Sequence, residues 1–331
     1  MIISKTPIRI SFFGGGTDYP DYFKKHGGAA LSTTINKYIY ISVKKLEVFS
    51  EFKYKIFYSK LENCNEIKEI EHPVIRACLN FLNINDSIEI HVIADLPARS
   101  GTGSSSSFTV GLLNALYSLK GKSVSKEKLA LDAIHIEQVI LNERVGVQDQ
   151  LAAAHGSLNF FELSKESSFS VNRIKINFKR KKELEENLLM FFTGVTRYAH
   201  KILEEQVSNT KNEKINPDLS KIKSMVNKGN EILSSDISLD AFGLLLDDAW
   251  KTKKNLSKSI STSFLDDIYS RAKNSGALGG KLLGAGGGGF FIFYVNKKYH
   301  RNIRKSLSDL TEIHFNFEND GTQITNSTNY D

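Results

Sequence analysis

The 331-residue chain is predicted to fold as an α+β protein of two domains. Three observations carry that expectation. The length exceeds what one hydrophobic core usually organises. Strand-type and helix-type stretches mix irregularly, without repeated βαβ units, which disfavours a doubly wound parallel sheet. A polar, charged segment from about Glu166 to Glu186 separates two halves. The expected domains are residues 1–180 and 181–331.

Each element follows from local pattern. Residues 1–60 read as strands, with "YIYISV" (Tyr38 to Val43) and "KYKIFYS" (Lys53 to Ser59) rich in β-branched and aromatic residues. Pro7, Arg9 and Ser11 interrupt the first apolar stretch, and no small-residue cleavage site follows, so it reads as a strand rather than a leader. His72 to Leu82 has helical spacing, and Ser87 to Pro97 alternates as a strand that Pro97 ends. Ser104 to Leu119 reads as a helix. A second helix opens on Ser125 as N-cap and runs to about Asn142. Ser157 to Leu163 and Leu188 to Gly194 read as strands. A largely helical block extends to about Asn274, Phe290 to Val295 is a further strand, and the tail from Asn319 reads as loose.

Composition narrows the function classes. Hydrophobic residues make up 40% and charged residues 24%, as in ordinary globular chains. No apolar run approaches the roughly 18–20 residues of a membrane span, so no membrane partner is expected. Cys64 and Cys78 alone give no disulfide framework and no cysteine metal site, which suits the cytoplasm. The net charge is +7. The basic residues are scattered among Glu and Asp, as in "KRKKELEEN" (Lys179 to Asn187), and read mainly as solvated helix faces. No basic–aromatic interleaving points to nucleic acid. An anionic small substrate accounts for part of the excess. The chain is expected to be a monomer or a homodimer.

Three glycine-rich stretches stand out. "SFFGGGTDYP" (Ser11 to Pro20) places Gly14, Gly15 and Gly16 before Thr17 and Asp18, a backbone open to close approach and then a carboxylate. A tight turn after a strand reads the same way. "DLPARSGTGSSSSFTVGLLNAL" runs from Asp95 to Leu116, where a strand ends at Pro97 and a helix starts within a serine run. A helix N-terminus offers unpaired N–H groups to phosphate, glycines admit the oxygens, and serine hydroxyls suit phosphate or Mg²⁺. A serine-rich cap is the alternative, but Gly101, Gly103 and four successive serines exceed what capping needs. No Walker A or Rossmann pattern is present. The third stretch, Ser275 to Val295, leads directly into "FFIFYV" and is therefore anchored in a core.

Two carboxylates stand near the second stretch. Asp149 lies between Gln148 and Gln150, just after Gly146. Glu137 falls on the apolar stripe of Leu129, Ala133, Ile136 and Ile140, where a carboxylate is costly unless it is paired or binds metal. An Arg or Lys partner is the alternative.

Together these motifs resemble the GHMP kinases (galactokinase, homoserine, mevalonate and phosphomevalonate kinases). Pro7-Ile8-Arg9 with Gly14 to Asp18 is similar to the family's first motif, Pro97 to Ser106 to the second, with Thr102 and Ser106 for the usual Leu and Ala, and Gly276 to Gly289 to the third. "GGGTD" with "QDQ" looks like the bacterial heptose 7-phosphate kinases, and "FFTGVTRYA", with Arg197, is less specifically similar. Gly15 and Gly16 stand where galactokinases carry a Glu-His pair, which argues against galactose. The resemblance implies an N-terminal ribosomal-protein-S5-like domain and a C-terminal ferredoxin-like domain, with the active site between them.

It implies an ATP-dependent sugar kinase. Asp149 would be the base and Arg9 a cation at the transferring phosphoryl. Pro97, Gly101, Gly103 and Ser104 to Ser107 would bind ATP, with Ser105 and Glu137 holding Mg²⁺. Gly14 to Asp18 and Gly286, Gly287 and Gly288 would meet the sugar. A phosphate already on the sugar would meet Arg197, Lys281 or Lys5, although Lys281 reads equally well as a surface lysine. A kinase for another aldose and a non-catalytic sugar-binding relative are the alternatives; intact Arg9, Ser105, Glu137 and Asp149 speak against the second.

Overall fold

The structure is a computed structural model and describes residues 1–195, 209–210 and 214–327. It has two sheets with helices packed against both. Its framework is a pair of long antiparallel strands, β1 (Ile2–Phe13) and β2 (Gly28–Lys45), linked by a turn and the short helix α1 (Pro20–His26). That helix lies inside a stretch expected to be strand. Pro20 starts it with the φ a helix needs, Asp21 sits in its first turn, and Lys24, Lys25 and His26 sit in its last.

The eighteen residues of β2 are enough to serve several partners besides β1. Its first part pairs with β6 (Leu158–Leu163), which pairs with β7 (Phe169–Arg173). Its last part pairs with β5 (Ile88–Ala94). Beyond β5 lie β3 (Tyr54–Phe57), parallel to it, and β4 (Leu61–Cys64). On this sheet pack α3 (Ser104–Leu119) and α5 (Gln148–His155), with α2 (Pro73–Phe81) against α3 and α4 (Lys126–His135) against α3 and α5. The Ser125 side chain caps α4 by accepting from Lys128 N, as expected. The expected single helix continues past α4 as a π-helical turn, Ile136–Ile140.

After α6 (Phe178–Glu186) the second sheet runs in the order β11 (Thr311–Ile313), β8 (Leu188–Phe192), β10 (Phe290–Val295), β9 (Ala277–Leu282). Every residue of β10 is buried, which explains its unbroken apolar run. Part of the third glycine-rich stretch is thus strand β9, and only the segment after Leu282 is loop. Helix α7 (Asn216–Ser234) packs on β1, β2 and α8 (Asp240–Lys254), while α8 and α9 (Ser263–Asn274) lie on β9 and α10 (His300–Ser306) on α9. Phe242 of α8 meets the rings of Phe12 and Phe13 edge-on, both at 5.2 Å between centroids, and so joins β1 to the second half.

The chain then returns to the first sheet. β12 (Phe317–Glu318) pairs with β2 and β13 (Gln323–Ser327) with β1. The tail expected to be loose is therefore partly strand. Its polar side chains hid this, because an edge strand is defined by the ladder of the partner it meets. No helix among the described residues is long and apolar enough to cross a membrane.

Candidate active site

A cavity of about 240 Å³ lies where β1, the start of α3, the start of α5 and the β9–β10 loop converge. Its wall includes Gly14, Gly15, Gly16 and Asp18 from the first glycine stretch, Gly101, Gly103 and Ser104 to Ser106 from the second, and Gly286 and Gly288 from the third. Residues distant in sequence and singled out separately are thus brought together. Pro97, Ser107 and Gly287 do not contribute to the wall. Arg197 lies outside the described residues.

At the centre Arg9 grips Asp149 with two parallel bonds. Nε donates to Oδ1 at 2.8 Å and Nη2 to Oδ2 at 2.7 Å, while Nη1 donates to the Gly101 carbonyl at 2.6 Å. Such a fork fixes both direction and distance. The Arg9 side chain is 6% exposed and that of Asp149 is 26% exposed, so the carboxylate, rather than the guanidinium, faces the opening. Gly103, at φ +71°, caps α3 in a left-handed conformation, and a Cβ there would press on both Arg9 and Asp149.

The glycines do less for a ligand than their sequence suggested. A Cβ on Gly14 would collide with the backbone at Ala29 and Ala30, one on Gly101 with Leu283, and one on Gly289 with Ser100. These positions allow one backbone to lie on another. Gly15 has open space before it, while Thr17 is buried and ties the turn by donating to Gly14 O at 2.9 Å and Ala29 O at 2.7 Å.

Asp18 reaches the cavity but is largely committed to the fold. It accepts from Gly16 N at 3.0 Å, and the backbone N–H groups of Asp18 and of Gln148 at the start of α5 also favour its charged form. Gly146 is required beside it, because a Cβ there would overlap its carboxyl group. Burial, with the Asp149 charge adding, nevertheless pushes the Asp18 carboxyl up to about 6.

The four serines divide by helix phase. Ser104 and Ser105 face the opening, and Ser105 is exposed. Ser106 turns inward and donates to Glu137 Oε2 at 2.9 Å, and Ser107 donates to the Pro7 carbonyl at 2.9 Å. The serine in contact with Glu137 is therefore Ser106, not Ser105, and Ser107 is turned away from any nucleotide. One position along a helix rotates a side chain by about 100°, which is the whole difference.

Glu137 is fully buried in the π turn and is paired with no Arg or Lys among the described residues. Gln150 Nε2 also donates to Oε2, at 2.5 Å, and Oε1 has no partner. Burial pushes this carboxyl up to about 7. A buried carboxylate with an unpartnered oxygen beside a serine hydroxyl fits Mg²⁺, which takes oxygen donors and often only one or two carboxylates besides phosphates. Among the described residues no three of His, Cys, Asp or Glu gather as a ready-made cage.

Two further cations line the cavity. Lys281 is 5% exposed, so it is not a surface lysine, and it donates to the Phe12 carbonyl at 2.9 Å. Lys253, which the sequence reading passed over, ends α8, is 9% exposed, and donates to Leu282 O at 3.0 Å and Gly284 O at 2.5 Å. Its only signal was a place in a basic run that looked like a solvated helix face. Lys5, by contrast, lies over the Tyr38 ring at 3.9 Å and does not line the cavity. Its place as a phosphate ligand is withdrawn.

Known proteins share this arrangement of chain. The GHMP kinases N terminal domain family matches residues 69–157, and the GHMP kinases C terminal family matches residues 234–310. Over 318 residues the chain is 30% identical to the D-glycero-alpha-D-manno-heptose 7-phosphate kinase of Campylobacter jejuni, covering 92% of this chain and 93% of that protein. It is 25% identical to the galactokinase of Thermotoga petrophila, with 95% of each chain covered. The crystal structure of a D-glycero-D-manno-heptose 1-phosphate kinase from Bacteroides thetaiotaomicron superposes with a TM-score of 0.82 at 23% identity, covering 99% of this chain and all of that one.

Proposed function

The chain belongs to the GHMP kinases, a family of ATP-dependent phosphotransferases, and on that premise we propose that it phosphorylates the anomeric hydroxyl of a sugar phosphate, best D-glycero-D-manno-heptose 7-phosphate. The observation that carries the reading is the Arg9–Asp149 fork, set in a cavity walled by all three glycine-rich segments. The heptose 7-phosphate kinase relative, matched end to end, supports the choice of acceptor.

In this reading the sugar hydroxyl donates to Asp149. As the hydroxyl oxygen bonds to the γ-phosphorus and the bridge to the β-phosphate breaks, its proton passes to Asp149 and ADP leaves. Arg9 holds the carboxylate in register and adds fixed positive charge beside the transferring group. The N–H groups at the start of α3, with Gly101, Gly103, Ser104 and Ser105, receive the ATP phosphates. Glu137 with Ser105 or Ser106 would hold Mg²⁺, which when bound neutralises phosphate charge. Gly15 and Asp18 line the sugar's side, and Gly286 and Gly288 approach from the second half. Lys281 meets the phosphate the sugar already carries, with Arg197 a second candidate. Residues 1–180 supply the nucleotide contacts and the Gly15 and Asp18 side of the sugar site, and residues 181–331 add Lys281, Gly286 and Gly288, although 317–327 pair with the first sheet.

The test is kcat/KM for heptose 7-phosphate against free heptose, mannose, fucose and galactose, with NMR of the product. The phosphorylated sugar is expected to win in kcat as well as in KM, because binding energy from the remote phosphate orients the reacting hydroxyl. Equal use of a neutral sugar would refute the reading and leave a kinase for another aldose.

A further inference from the structure

Lys253 and Lys281 lie on the cavity wall with only backbone carbonyls as partners. Among the described residues neither meets a carboxylate within ion-pairing distance. An ammonium group has three N–H donors, so Lys281 keeps two unused and Lys253 one. Both side chains are more than nine-tenths buried, and a buried cation without a counter-charge is costly. Arg9 adds a like charge nearby that its pairing with Asp149 only partly offsets. Burial, with Arg9 adding repulsion, lowers Lys253 to about 7. Burial, with repulsion from Lys253 and Arg9 and only partial relief from Asp18, holds Lys281 well below the usual lysine value. The two lysines come from different elements, the end of α8 and the middle of β9, which pack directly on each other.

We propose that Lys253 and Lys281 form a two-lysine seat for phosphoryl oxygens in this cavity. A phosphate supplies what the pair lacks, a directly bonded anion with several acceptors within a small volume. It has two possible sources: the terminal phosphate of the nucleotide, or a phosphate already carried by the acceptor. Only the second source rests on the reading above.

Calorimetric titration of four ligands separates the cases: ATP, ADP, heptose 7-phosphate and free heptose, each with the wild type, Lys253→Met and Lys281→Met. In at least one pair, each variant is expected to weaken the member bearing the extra phosphate by about tenfold or more, the scale of one charge-assisted bond. The other member should move by less than about threefold. A change confined to ATP against ADP assigns the nucleotide's phosphate, and one confined to the heptose pair assigns the acceptor's. Lys253 also ties down Gly284, so loss of the loop clip alone would weaken all four ligands alike. That result, or unchanged affinity for all four, overturns the seat. A wild type that binds neither heptose form defeats the heptose reading and leaves ATP against ADP to decide the seat. If melting curves show that Lys253→Met is unfolded, Lys281→Met, which gives up one carbonyl contact, decides alone.

Discussion

Replacing Glu137 by glutamine is expected to stabilise the ligand-free protein above neutral pH while lowering its activity. The carboxyl is fully buried, has no cationic partner among the described residues, and is raised from 4.5 to about 7 by burial. A carboxyl whose folded pKa lies above its unfolded value holds its proton more tightly in the folded state. Its contribution to stability is therefore complete below about pH 4.5 and is lost as pH rises through about 7. The difference of about 2.5 units, at about 1.4 kcal/mol each, makes the loss on the order of 3 kcal/mol. Glutamine has no such titration. With an unfolding entropy near 2 cal/mol/K per residue, a chain of this length should shift its midpoint by about 4 °C. The assay is thermal unfolding in EDTA from pH 5 to 8.5, wild type against Glu137→Gln. The curves should coincide near pH 5, and the variant should melt higher at pH 8 and above. Asp18, raised from 3.8 to about 6, weakens both proteins in the same direction over a lower window, so it cancels in the comparison. Parallel curves across the range would refute the claim that Glu137 is an uncompensated buried charge.

Two further substitutions test the site. Asp149→Asn should lower kcat by about 10²–10⁴-fold, the usual range for loss of a general base, with ATP affinity measured by titration nearly unchanged; a variant keeping a third of wild-type kcat would remove Asp149 from proton transfer. Ser106→Ala should raise the free Mg²⁺ needed for half-maximal activity more than Ser105→Ala does, because Ser106 is the serine that touches Glu137; the opposite order would restore Ser105 as the metal ligand.

Much of the fold was legible where side-chain pattern and burial agree. Phe290 to Val295 is apolar throughout because the strand is covered on both faces, and Ser104 to Leu119 begins where the glycine-rich loop stops. Helix α1 was not legible, because seven residues are too few for a periodic pattern and Tyr22 and Phe23 look equally suited to a strand. Glu137 and the three glycine segments were found because their chemistry is unusual for their positions, whereas Arg9 and the role of Asp149 came from the resemblance to the GHMP kinases. Lys253 was not found, because its burial is made by Leu282 and Gly284, about thirty residues on. The serine register was not legible for a smaller reason: a run of four identical residues carries no phase, and only packing against Glu137 decides which of them points inward.

The pairing of β13 with β1 bears on how the chain reaches its native state. Ile2 to Lys5 leave the ribosome more than three hundred residues before their partners at 323–327. At about 5–20 residues per second, synthesis leaves that edge of the first sheet unpaired for roughly 15–60 s. During that interval β1 offers a row of free N–H and C=O groups to any other strand in reach. The whole second sheet lies between the two partners in sequence, so the ladder closes only across a long loop, a step that is slow in proteins dominated by distant contacts. Refolding from denaturant should therefore show a late phase that reports on β13 and grows more prone to aggregation with protein concentration. Early synthesis products that stop short of residue 323 should be clients for chaperones.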